Sequence, residues 1–102
     1  MVVKYTILFP KGSIYDMDHY TKIHMPMIAA AFPVDFLRWE VATFPAEAPF
    51  MAVCHVEWTS AEAFESMSQP GSEAGKKIFA DVPNFSTEAP IFMMEKYVAG
   101  GP

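Results

Sequence analysis

Apolar and polar positions alternate along four stretches of the chain and recur every three to four residues along two others. Val2 to Phe9 reads Val-Val-Lys-Tyr-Thr-Ile-Leu-Phe and stops at Pro10-Lys11-Gly12-Ser13, a β-strand followed by a turn. Phe36 to Phe44 and Met51 to Trp58 form a second and a third strand, joined by a loop that Pro45 and Pro49 keep out of both. Ala89 to Val98 makes a fourth. Between the first two strands, Met17, Tyr20, Thr21, His24, Met27, Ile28 and Ala31 form one helical stripe, with Asp16 at the N-cap. Asp18, Lys22, Met25 and Ala29 fall off that stripe. Pro26 sits inside it, removes one backbone hydrogen bond and should bend or loosen the turn before it. Thr59 with Glu62 makes a capping box for a second helix, and Ser60 is an equal candidate for its cap. Gln69-Pro70-Gly71 breaks this helix, and Ser72 to Asp81 resumes it.

The order β-α-β-β-α-β predicts an α+β, ferredoxin-like domain: a four-stranded antiparallel sheet with both helices on one face. We assign residues 1–99 to this single domain and 100–102 to a fraying tail. Alternation divides each strand between two faces. Tyr5, Ile7, Phe9, Leu37, Trp39, Val41, Ala52, Cys54, Val56 and Trp58 should face the helices. Lys4, Thr6, Arg38, Glu40, His55 and Glu57, with Met51 and Val53 among them, should make the open face. That face can meet water or a second copy of the sheet.

Composition favours the second copy. Of 102 residues, 52% are hydrophobic and 15% aromatic, more than one small core needs. The surplus predicts a homodimer through the open sheet face, with ion pairs fixing its geometry. A net charge of −5 argues against nucleic acid and anionic membranes as partners. A single cysteine permits no internal disulfide, and the N-terminus lacks a signal-peptide core. Both point to the cytoplasm. No apolar run approaches the roughly 20 residues of a membrane span.

Chemistry narrows to few residues. His24 lies mid-stripe, where desolvation favours the neutral imidazole and equips it as a general base or acid. The same pattern suits a packed histidine bonded to backbone. Tyr20 and Tyr5 can support a developing oxyanion. Tyr20, Trp39, Trp58 and Met27 can wall a pocket for a small hydrophobic ligand, or serve as ordinary core. His55 and Glu57 share a strand face. His19 and His24, five apart on the helix, do not face the same way. No metal-ligand spacing, CxxC, GxGxxG or phosphate loop occurs, so we expect neither metal nor cofactor. Cys54 should be buried and inert.

Tyr15-Asp16-Met17-Asp18-His19-Tyr20, followed by His24-Met25-Pro26-Met27-Ile28, resembles the first-helix signature of the EthD family, whose sharpest element is His-x-Pro. Ile7 to Gly12 looks like that family's first strand and turn, and Trp58-Thr59-Ser60 to Phe64 like its third strand entering helix two. The resemblance spans essentially the whole chain. It implies a homodimeric α+β barrel of two sheets packed face to face. The family takes its name from genes linked to degradation of ethyl tert-butyl ether. Related barrels include lactone isomerases, polyketide cyclases and cofactor-free monooxygenases, and by that analogy His24 is the pocket base. Three functions stay open at this point. One is cofactor-free proton transfer on a small hydrophobic carbonyl or lactone compound, of isomerase, cyclase or lyase type. The others are an oxidative role, as a cofactor-free monooxygenase or an oxygenase accessory, and a non-catalytic ligand-binding module.

Overall fold

A computed structural model describes residues 2–102. Four strands, β1 (Val3–Pro10), β2 (Phe36–Thr43), β3 (Phe50–Trp58) and β4 (Ile91–Met94), form one sheet in the order β2-β3-β1-β4. All three pairings are antiparallel, with β1 and β3 in the middle. Helices α1 (Met17–His19), α2 (Met25–Ala31), α3 (Ala61–Glu65) and α4 (Glu73–Asp81) belong to the two crossovers, giving the ferredoxin-like arrangement. The core lies between helices and sheet and includes Ile7, Phe9, Ile28, Val56, Trp58 and Ile78.

The first helical segment is not continuous. Between α1 and α2, Tyr20–His24 forms a π-helical turn in which the Met25 N–H reaches back to the Tyr20 carbonyl. Pro26 comes next, at the start of α2, with no N–H to give to the turn before it. The extra width rotates the faces of α2 relative to a regular helix. Met25, off the stripe of a regular helix, is 2% exposed, and Ala31, on that stripe, faces solvent.

Three further departures have local causes. A bulge between Phe36 and Arg38 turns Phe36 onto Trp58 and leaves Leu37 outside, reversing the sequence assignment at the head of β2. β4 is four residues long rather than ten. Pro90 precedes it, and after the Glu95 N–H bonds the Lys4 carbonyl the chain runs past the start of β1. Ser60, not Thr59, caps α3 by accepting from the Ala63 N–H at 3.1 Å, while Thr59 Oγ1 donates to Asp35 at 2.7 Å. No helix is long and apolar enough to cross a membrane among the described residues.

Candidate functional site

Asp16 caps α1 by accepting from the His19 N–H at 3.0 Å, which starts the helix so that Tyr20 and His24 turn toward the sheet. Tyr20 packs edge-on to Phe9 of β1, with ring centroids 5.1 Å apart. Phe85 closes on both helix residues, 4.7 Å from Tyr20 and 4.6 Å from His24. The segment carrying Phe85 is held at both ends: the Tyr15 N–H donates to the Phe85 carbonyl at 2.9 Å, and the Thr87 N–H to the Ser13 carbonyl at 2.9 Å.

His24 is 5% exposed, and its Nδ1 lies 3.0 Å from Oδ2 of Asp81, the last residue of α4. Asp81 also meets His19 Nε2, at 2.9 and 3.0 Å, and accepts from Asn84 Nδ2 at 2.9 Å. Burial pushes the Asp81 pKa up, but hydrogen bonds from Asn84, His19 and His24 outweigh it and leave the pKa below its ordinary value. Asp81 is therefore an ionised carboxylate at neutral pH, and a carboxylate only accepts. Both imidazoles must present N–H to it, which sets the proton of His24 on Nδ1. Burial lowers the His24 pKa more than Asp81 raises it, so the ring is neutral at pH 7. Its Nε2 then carries a lone pair.

A cavity of about 440 Å³ lies between helices and sheet, and His24 is part of its wall. Ile7, Val56, Ile28 and Ile78 supply its apolar lining, and no Lys, Arg, Asp or Glu contributes to it. Phe79 and Phe92, each about half exposed, complete the wall. Nε2 of His24 has no hydrogen-bond partner among the described residues, and it is not among the sealed, unpartnered side-chain atoms.

Of the residues expected at the site, Tyr20, His24 and Trp58 line the cavity, and Tyr5, Trp39 and Met27 do not. Tyr5 is stacked on Phe64, ring centroids 4.0 Å apart, which takes it out of the wall. Trp39 sits on edge strand β2, half-buried against the core, and Met27 packs in the same manner on α2. Burial, and next the Cys54 thiol, push the Tyr20 hydroxyl far above its usual range, so it stays protonated. Trp58 Nε1 is buried with no partner, and the indole ring packs against Phe32, Phe36 and Phe64 with centroids 5.0 to 5.8 Å apart. The indole is wall, not a polar contact for ligand. Burial raises the Cys54 thiol to about 11, leaving it a protonated core residue.

His55 and Glu57 do not serve each other. His55 Nδ1 reaches Glu95 at 3.3 Å across Thr6 of the intervening β1, and Glu57 pairs at 3.5 Å with Arg38, its cross-strand partner on β2. Among the described residues, no group of three or more His, Cys, Asp or Glu side chains is arranged to hold a metal ion.

Asp81, His19, Asn84 and Phe85 were missed from sequence. In a regular α-helix, five residues leave two side chains roughly 140° apart. The π turn narrows that offset and brings both histidines onto one carboxylate. Two signals were present: Pro26, which marks a bent or loosened turn, and an acidic residue at a helix C-terminus, where the macrodipole disfavours it.

No known family profile and no curated protein matches this chain. Solved structures do. An EthD-like protein from Ralstonia eutropha is 26% identical, with a TM-score of 0.77 over 96% of this chain and 93% of that one. An ethyl tert-butyl ether degradation family protein from Bacillus halodurans is 19% identical, with a TM-score of 0.68 over 96% and 100%. SnoaB, a cofactor-independent oxygenase from Streptomyces nogalater, is 17% identical, with a TM-score of 0.66 over 99% and 97%.

Proposed function

We propose that this chain, whose fold is the EthD-family fold, is a cofactor-free enzyme that moves a proton on a small hydrophobic carbonyl or lactone compound. The observation that carries this reading is the pairing of His24 Nδ1 with Asp81 while Nε2 stands unpartnered in an apolar cavity wall. Nε2 takes a proton from the carbon beside the substrate carbonyl. The electron pair of the broken C–H bond shifts onto oxygen as an enolate. The imidazolium, stabilised by Asp81, then returns the proton to another carbon or to the enolate oxygen. That sequence serves an isomerase, a cyclase or a lyase. Tyr20, stacked beside His24 with centroids 5.8 Å apart, holds the ring in place. Trp58 shapes the far wall.

The test is turnover on a panel of lactones and polyketide-like β-dicarbonyls. The reading expects His24→Ala to lower the rate by roughly 10²- to 10⁴-fold, the usual worth of a general base. Undiminished activity in His24→Ala removes His24 from the mechanism.

The likeness to a cofactor-independent oxygenase favours a second reading, in which the same carbanion is oxidised by O₂. Oxygen consumption with quinol-like substrates separates it from the first. Whichever chemistry applies, a second copy of the chain covers the open sheet face in our reading. Ile91 and Met93 of β4 are each just over 40% exposed there, next to the half-buried Leu8, on an edge strand that needs a cover.

A further inference from the structure

His19 lies outside the cavity wall, yet at 2.9 Å it is bonded as closely as any donor to the carboxylate that orients the cavity base. We propose that His19 is a positioning residue: by donating from Nε2 to Asp81 it fixes the carboxylate that sets the tautomer of His24, an arrangement made possible by the π turn between the two histidines. The inference rests on His24 being the base of the cavity.

Asp81 sits where α4 ends and a short 3₁₀ turn begins, so its side chain has rotational freedom that backbone alone does not remove. Three donors converge on it from three places: His19 at the end of α1, His24 at the end of the π turn, and Asn84 three residues downstream. Asn84 belongs to the same local turn and moves with Asp81. His24 is the group being oriented. His19 ties the carboxylate to the first crossover from a point outside the cavity wall, with its own N–H bonded to Asp16 and its ring stacked near-parallel on Phe85 at 6.3 Å. Its Nε2–H is shared between both carboxylate oxygens, at 2.9 and 3.0 Å, which centres the group, while His24 on Oδ2 and Asn84 on Oδ1 set its plane. On a regular helix the His19 ring would point away from the carboxylate that meets His24. The widened turn, with Met25 N–H bonded to Tyr20 rather than Thr21, removes that obstacle.

The charged groups near this cluster are few. Asp16 and Asp18 flank His19 on its own helix, both exposed, and Lys22 is engaged with Asp18 at 3.6 Å. From α4 and the 3₁₀ turn, Asp81 is the ionised group that meets either ring.

The experiment reads the His24 ring directly and needs no substrate. Ring ¹⁵N shifts of histidine-labelled protein give the ratio of Nδ1–H to Nε2–H tautomers at about pH 8, where the imidazole is neutral. His19→Phe keeps the stacking on Phe85 and deletes the donor. His19→Gln restores an N–H. A hydrogen bond to a charged group is worth roughly 10- to 100-fold in such a ratio. Wild-type protein should hold His24 almost wholly as Nδ1–H. His19→Phe should lower the ratio by at least about tenfold, and His19→Gln should recover most of it. His19→Leu repeats the test if the phenylalanine variant folds poorly. A ratio unchanged within twofold in His19→Phe or His19→Leu overturns the proposal, as does a Gln variant that behaves like Phe. Because no turnover is measured, these outcomes are independent of whether His24 proves catalytic.

Discussion

Replacing Asp81 by asparagine keeps the shape of the site and removes one charge and one acceptor. The carboxylate accepts three N–H groups, from His24, His19 and Asn84. A carboxamide offers one oxygen and an NH₂ group, so at least one of those donors meets another donor. Two outcomes are open to the histidine facing the NH₂. It can lose its bond, which leaves a buried polar group unsatisfied at a cost of about 1–3 kcal/mol. It can instead move its proton to the other nitrogen. If that ring is His24, the proton lands on Nε2 and fills the lone pair that the proposed chemistry uses. Relief of burying a charge offsets part of the loss, since burial is what pushes the Asp81 pKa up. We expect a net destabilisation of about 2 kcal/mol, or roughly 8–16 °C in Tm for a chain of this size. Thermal melts of wild type and Asp81→Asn at neutral pH measure it. A Tm within 2 °C of wild type would refute the claim that the carboxylate is the hub of the cluster.

Acid should expose His24. Its folded pKa lies below its ordinary 6.5, chiefly through burial, so the unfolded chain binds the extra proton first. The stability it contributes is complete above 6.5 and drains away as pH falls through 6.5 toward the folded value, with a slope of at most about 1.4 kcal/mol per pH unit. Urea unfolding across this range should show a flatter profile for His24→Phe, and parallel profiles would exclude the effect. Gly75 of α4 lies against the Met67 carbonyl, and a Cβ there would stand 1.7 Å from that oxygen. Gly75→Ala should therefore lose about 2–3 kcal/mol despite its gain in helix propensity. Equal or higher stability by denaturant titration would contradict that packing. Met93→Asp places a charge on an exposed position of the open face, and sedimentation should find it monomeric at concentrations where wild type is dimeric. A wild-type chain that stays monomeric at high concentration would remove the dimer.

Sequence and structure agree where local physics decides alone. Alternation placed Ile7, Phe9, Val56 and Trp58 beneath the helices, and the turn residues divided the strands. At Leu37 alternation failed, because a one-residue bulge reverses a face and leaves no mark in a run such as Phe36-Leu37-Arg38-Trp39. The site was half legible. His24 stood out as a polar residue on an apolar stripe, and Pro26 announced a disturbed turn. What the disturbance would align could not be read, since it depends on where α4 ends, in a crossover some 57 residues away. Tyr5 and Trp39 have the right chemistry and the right faces, and they miss the cavity because Tyr5 is stacked on Phe64 and Trp39 lies on an edge strand, while Met27 packs against the core from α2 without lining the cavity.

The central claim is that His24 Nε2 removes a proton from carbon inside the cavity. Deuterium entry beside the carbonyl of 2-tetralone, a neutral hydrophobic ketone, followed by NMR in D₂O, tests the step in isolation. Wild-type protein should accelerate exchange over buffer, and both His24→Ala and Asp81→Asn should lose most of that acceleration. Exchange equally fast with His24→Ala would contradict the claim.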